Sequence, residues 1–115
     1  MAQRRMISKD FTQSHKFLQL SMAAQRLYFF LMVETDDNGF VGNVNGYVKS
    51  IDAKSTQLKE LSDAGFVIIF TSNCAVLTHF NKMNKIQKDR FKETEFTDEF
   101  NLLALDEKDC YYIKK

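Results

Sequence analysis

The residues in this sequence whose types and spacing could do chemistry together are basic, and they gather near residue 85. The segment HFNKMNKIQKDRFKET, residues 79–94, carries Lys82, Lys85, Lys88, Arg90 and Lys92, with Phe80, Met83, Ile86 and Phe91 between them. On a helix, Lys82, Lys85, Lys88 and Lys92 recur at i, i+3, i+6 and i+10, which makes one cationic stripe with Met83 and Ile86 packed away from it. In an extended chain, Lys88, Arg90 and Lys92 share a side by period two. Either backbone predicts a row of positive charge able to displace counterions from a nucleic-acid backbone. Arg4 and Arg5 add a second basic cluster at the start of the chain. Most charge runs are solvated faces, but this one follows a hairpin signal and is joined by the arginine pair, and we read it as a nucleic-acid contact.

A second set of polar residues is KSTQLKE at 54–60. With Leu58 and Leu61 turned inward, Thr56, Gln57, Lys59 and Glu60 point outward, and Lys54 with Ser55 stands at the N-terminal end. Side-chain amides read adenine edges, lysine reaches guanine or phosphate, and helix N-termini hold phosphates. An ordinary solvated helix face is built from the same residues, so this segment alone does not decide.

Other chemistries find less support. The glycines at 39, 42, 46 and 65 form no GxxxxGK phosphate loop. GFVG at 39–42 lacks the basic residues of a KH loop. ETDDNGFVGNVN, read from Glu34, follows a calcium loop until its last ligand, where Asn45 replaces the bidentate glutamate. Cys74, His79, His15 and Cys110 have none of the close spacing of a zinc site. No acid pair and no nucleophile with a nearby base stands out, so the expectation is a binding protein without catalytic residues, metal or cofactor.

These residues need elements to position them. Ser21 caps a helix that places Ala24, Leu27 and Leu31 on one face. Tyr28, Phe29, Phe30, Met32 and Val33 make it apolar nearly all round, which predicts the central buried helix. ETDDNG ends it, with Gly39 free to take a positive φ, and GFVGN is a short extended piece. Asn43 then caps a short helix burying Val44, Val48 and Ile51. Ser55 caps another, with Leu58 and Leu61 inward and Gly65 at its stop. Two short helices joined by a tight turn predict a helix-turn-helix. FVIIF at 66–70 and CAVLTHF at 74–80, flanking TSN, predict a β-hairpin. Thr97 caps a last helix with Asp98 and Glu99 in its first turn and Phe100 and Leu103 on its apolar side. The fold class expected is α+β, mainly α: a winged helix-turn-helix with a C-terminal helical extension.

The 115 residues fit one domain, 1–115, and 44% hydrophobic with 27% charged residues is a globular composition. The longest apolar run, LYFFLMV at 27–33, is too short to span a bilayer. No apolar stretch follows Arg4 and Arg5 as in a secretory signal, which places the protein in the cytoplasm with Cys74 and Cys110 reduced. Charge is uneven: residues 1–92 sum to +5 and the extension 93–115 to −4, so the body suits an anionic partner.

AQRRMISKDF at the start, DDNGFV in the middle and KDRFKET near the end, in that order, resemble the N-terminal domain of phage replisome organisers, the DnaD-like replication initiation proteins. The likeness extends over roughly residues 2–112. It implies a winged-helix domain that binds double-stranded DNA at a replication origin in a bacterial host cell. It also implies a C-terminal region, absent from this chain, that engages the host helicase-loading proteins; the chain then reads as a truncated piece. Carried over by position, Lys54 to Glu60 become the recognition region, Ser72 and Asn73 the wing tip, and Lys85 to Lys92 the basic motif. Members often have Trp after the hairpin histidine, where Phe80 stands here, which keeps the aromatic but loses an N–H donor. A homodimer or higher oligomer suits repeated origin sites. A winged-helix transcriptional regulator, or a protein-interaction winged helix that leaves DNA alone, would share the fold.

Overall fold

The computed structural model describes residues 4–86 and 88–114. Ala2 and Gln3 of the first resembling stretch, and Gln87 of the basic segment, lie outside the described residues. The chain opens with two single-turn helices that periodicity does not reveal, α1 (Lys9–Thr12) and α2 (His15–Leu18). Each is started by a serine. Ser8 Oγ accepts from Phe11 N at 3.1 Å and Ser14 Oγ from Phe17 N at 3.4 Å, and each turn buries its phenylalanine.

Helix α3 (Met22–Glu34) begins where expected, with Ser21 Oγ accepting from Ala24 N at 3.1 Å. Ala24, Leu27, Tyr28, Leu31 and Met32 are buried. The expectation of burial all round is corrected: Met22 is 87% exposed, Val33 73%, Phe30 40% and Phe29 38%. The rest of the described chain packs on one side of α3, so a helix with apolar residues on both sides leaves one of them in solvent.

Gly39 (φ +93°) turns the chain into β1 (Phe40–Gly42), and a Cβ there would meet the Phe80 side chain at 2.7 Å. Helices α4 (Val44–Ser50) and α5 (Ser55–Asp63) follow, then β2 (Val67–Phe70) and β3 (Cys74–Leu77). The three strands form an antiparallel sheet ordered β1-β3-β2, with Phe40 opposite Val76 and Ile68 opposite Val76 on the other side. Asn43 does not cap α4 as its sequence position suggests. It is left-handed (φ 47°) and makes no cap bond; Val44 N donates to Asn73 O at 3.1 Å and Asn45 N to Asn73 Oδ1 at 3.0 Å, so the hairpin turn does the capping.

After β3 come α6 (Phe80–Met83), an irregular stretch and α7 (Thr97–Phe100). The helical extension expected here is corrected. Thr97 lies inside α7, which is one turn long, and a second antiparallel sheet of β4 (Leu103–Leu105) and β5 (Tyr111–Ile113) follows. Asp106 turns that hairpin by accepting from Lys108 N and Cys110 N, and Asp109 adopts a positive φ. The described chain is an α+β fold with seven helices and small antiparallel sheets.

Strand alternation splits the buried residues into two clusters. Val41, Ala75, Leu77 and Val67 face α3, α4 and α5 in the main core. Phe40, Cys74 and Val76 face the other way, where Leu103 and Tyr111 of the C-terminal hairpin cover them. Cys74 and Cys110 are both buried with free thiols.

Candidate nucleic-acid interface

Helix α5 buries Leu58 and Leu61 and turns its polar face outward, as expected. It starts one residue early: Lys54 holds the N-cap position, and Ser55 is the first helical residue. Lys54 N donates to Gln57 Oε1 at 3.0 Å, so the amide oxygen read as a base contact is committed to the helix start. Glu60 accepts from Ser21 N at 2.7 Å and from Ser21 Oγ at 2.8 Å, fastening α5 to the start of α3. Lys54, Ser55, Thr56 and Lys59 are exposed, and Lys59 pairs with Asp63 at 3.3 Å. At 77% and 67% exposure that pair is weak.

Thr56, Lys59, Glu60 and Asp63 line an open groove of about 620 Å³ whose other wall is Lys16, Gln19 and Leu20. A second groove, of about 640 Å³, is lined by Ser8, Asp10, Ser14, His15, Lys16, His79 and Lys82, so one acid stands among its bases. Lys16 and Ala64 border both. Lys59, Lys16 and Lys82 therefore stand in succession along adjoining grooves, although the chain separates them widely. Burial pushes the His79 imidazole below its ordinary pKa, the positive charges of Lys82 and Lys16 push the same way, and Asp106 opposes them. Its Nδ1 is buried with no hydrogen-bond partner among the described residues. Lys16 and His15 carry no signal in the sequence; only the packing of α2 beside α5 brings them here.

The single cationic stripe is not formed. Helix α6 stops at Met83 because Asn84 is buried and held: its Oδ1 accepts from Met6 N at 2.6 Å, and its Nδ2 donates to Met6 O at 3.0 Å. The period-two alternative is also corrected, since residues 88–90 form a turn. Lys85 leaves the Lys82 groove, lines a different one with Phe91, and pairs with Asp109 at 3.5 Å. Lys92 borders a fourth groove beside Glu34, Asp36, Glu93 and Glu95, where acids outnumber it. Lys88 and Arg90 are exposed on the turn.

The two arginines part as well. Arg4 is exposed. Arg5 is corrected from a nucleic-acid contact to a buried structural residue: its guanidinium lies 3.0 Å from Asp37 Oδ1, with side-chain exposures of 4% and 0%. It also donates to Thr35 O at 2.7 Å and Thr35 Oγ1 at 3.0 Å. The second Asp37 oxygen accepts from Lys92 N at 2.9 Å, so one carboxylate ties the N-terminal segment to the end of the basic segment.

Ser72 and Asn73 lie in the turn between β2 and β3, with Ser72 exposed, and both side chains are bonded to other parts of the fold. Ser72 Oγ donates to Glu99 at 2.6 Å, which holds that carboxyl below its ordinary pKa, and Asn73 Nδ2 donates to Asn43 at 2.9 Å. The calcium-like loop is likewise spoken for. Asp36 Oδ1 accepts from Asn38 N and Phe40 N, and Oδ2 from Thr94 Oγ1. Among the described residues, no three His, Cys, Asp or Glu side chains gather as metal ligands, and no helix is long and apolar enough to cross a membrane. Compared with family models, curated proteins and solved structures, the chain matches none.

Proposed function

We propose that this chain is the DNA-binding domain of a phage-type replication initiation protein, built as a winged helix-turn-helix and binding origin duplex through α5. The observation that carries the reading is the exposed face of α5, which turns Thr56 and Lys59 into a groove shared with Lys16 and continued to Lys82. Three supports stand beside it. The order helix, strand, two helices and hairpin, with a β1-β3-β2 sheet, is the arrangement a winged helix requires. The spaced cations suit phosphates while Thr56 meets base edges. The stretches AQRRMISKDF, DDNGFV and KDRFKET resemble phage replisome organisers in order. On this reading, host helicase-loading proteins engage a region outside this chain.

The test is fluorescence anisotropy with an origin duplex and a scrambled duplex across several salt concentrations. Substituting Lys16, Lys59 and Lys82 together by alanine is expected to weaken both duplexes and to flatten the log–log salt slope by about one unit per lost phosphate contact. Substituting Lys88, Arg90 and Lys92 is expected to do less. Unchanged affinity and slope in the first variant would overturn the assignment.

A further inference from the structure

The three-stranded sheet has two edges, and the chain treats them differently. At the β1 edge, Phe40 turns its main-chain groups away from β3 and Asp36 takes both of them. Asp36 N donates to Phe40 O at 2.9 Å, and Phe40 N donates to Asp36 Oδ1 at 2.9 Å. The Phe96 ring then lies against Gly42 and covers the end of that strand. The β2 edge is left open. Thr78 N donates to Phe66 O at 3.1 Å and Leu77 N to Gly39 O at 3.0 Å, which fixes which residues of β3 face β2 and which face β1. With Ile68 opposite Val76 and Ile69 opposite Ala75, alternation gives Ile68 and Phe70 the bonds to β3 and turns the N–H and C=O of Val67 and Ile69 outward. No hydrogen bond reaches these outward groups among the described residues. Val67 is buried at the closed end of the edge, and Ile69 is exposed at its open end. The strand, VIIF, has none of the charges or prolines that keep an edge from pairing.

Strand β5 presents a second edge to the same place. Lys114 N donates to Leu102 O at 2.8 Å and Asp106 N to Cys110 O at 2.9 Å, so the same alternation turns Tyr111 and Ile113 away from β4. Tyr111 N reaches Thr78 O at 2.9 Å and joins the two sheets there. Ile113 is exposed, and no hydrogen bond reaches its outward groups among the described residues. A groove of about 510 Å³ is lined by both strands, with Ile68, Ile69, Tyr112 and Ile113 among its residues and no charged side chain. We propose that this groove binds an extended segment of a partner protein as an added strand, bonded to Ile69 on one side and to Ile113 on the other. The main chain identifies the occupant. Outward N–H and C=O groups offer donors and acceptors at the repeat of a strand, and another extended backbone matches them. A phosphate chain only accepts, and an uncharged groove does not attract it; a helix has its main-chain groups bonded internally. The β-branched and aromatic lining selects apolar side chains at alternate positions of the guest. DNA plays no part in this argument.

Solution NMR with a panel of acetylated, amidated heptapeptides, without DNA, tests it. Each peptide carries valine, isoleucine, threonine or tyrosine at alternate positions and lysine at both ends. A binding member is expected to slow exchange of the Ile69 and Ile113 amide protons at least about tenfold. The same peptide methylated on the main-chain nitrogens that face β2 loses those donors and is expected to bind at least about tenfold more weakly. Ile69→Pro removes the outward N–H and leaves the bonds between β2 and β3 in place, because Ile69 makes none of them, and it should weaken binding to a similar degree. If amide spectra show that variant unfolded, the methylated peptide decides on the unaltered chain. A panel in which nothing binds into the millimolar range would overturn the proposal. So would a methylated peptide that binds like its parent, or a folded Ile69→Pro chain that binds like the unaltered one. Protection of the two amides that rises with protein concentration alone would make the occupant a second copy and overturn it as well.

Discussion

Arg5 shows what a charge reading leaves undecided. Its type is visible in the sequence, and a basic residue near a chain start suggests a phosphate contact. Its partner is 32 residues away, and no local pattern announces that Asp37 will be fully buried beside it. Taking both charges out of water is costly, and the site answers with two hydrogen bonds from Arg5 to Thr35 and one from the Lys92 backbone to Asp37. Removing one partner leaves the other buried and uncompensated. Asp37→Ala is therefore expected to destabilise the fold by about 3–5 kcal/mol in urea denaturation. Asp37→Asn, which still accepts from Lys92 N, should cost less. An alanine variant within about 0.5 kcal/mol of the parent would show that the pair contributes no net stability. Gln57 teaches the same lesson: its polarity suggests a reader of bases, and its geometry spends the oxygen on the helix start.

At the scale of elements, legibility followed periodicity. The start of α3, α4 and α5 are readable from apolar residues at helical spacing, and the short strand and hairpin from apolar runs set off by turn residues. Single-turn α1 and α2 are too short to show a period, and they exist through serine caps and two buried rings. The basic stripe was misread for the opposite reason. Its i, i+3 pattern is real, but burial of Asn84 against Met6 pulls the chain out of the helix before the second lysine. The hairpin was right, yet its turn has an unforeseen task, because Asn73 is left-handed (φ 64°) and both its backbone and side-chain oxygens cap α4. Asn73→Gly keeps the turn and loses the side-chain cap, with an expected cost of about 1 kcal/mol. Asn73→Ala must also adopt the left-handed backbone, so its cost should rise to about 2 kcal/mol or more. Thermal melts of the pair separate the terms; equal midpoints would mean that backbone strain at the turn is negligible.

Across the whole molecule, the C-terminal residues are the part their composition disguised. Read as charge, residues 93–115 are an acidic tail; in the fold they close the second face of the sheet. Alternation explains the difference, since β3 is buried at all four positions and its outer residues need a cover that the helices on the inner face cannot supply. Leu103 and Tyr111 provide it, and Tyr111 fastens the cover by donating its hydroxyl to Asn38 O at 2.8 Å and its N–H to Thr78 O at 2.9 Å. A chain ended after residue 96 would lose those contacts and the Ser72–Glu99 bond while exposing Phe40 and Val76. Each large side chain withdrawn from burial costs about 1.5–3 kcal/mol, so the shortened chain is expected to be less stable by several kcal/mol and to bind a hydrophobic dye at neutral pH. If the hairpin were a separate appendage, the midpoint would not move and no dye would bind. Leu103→Ala and Tyr111→Phe in the full chain divide the loss: the first removes cover and should cost about 2–5 kcal/mol. The second removes one hydrogen bond and leaves Asn38 O buried, for about 1–3 kcal/mol. Both should lower a single cooperative transition, because the sheet that carries the cover also backs α4 and α5, and one face cannot melt without the other.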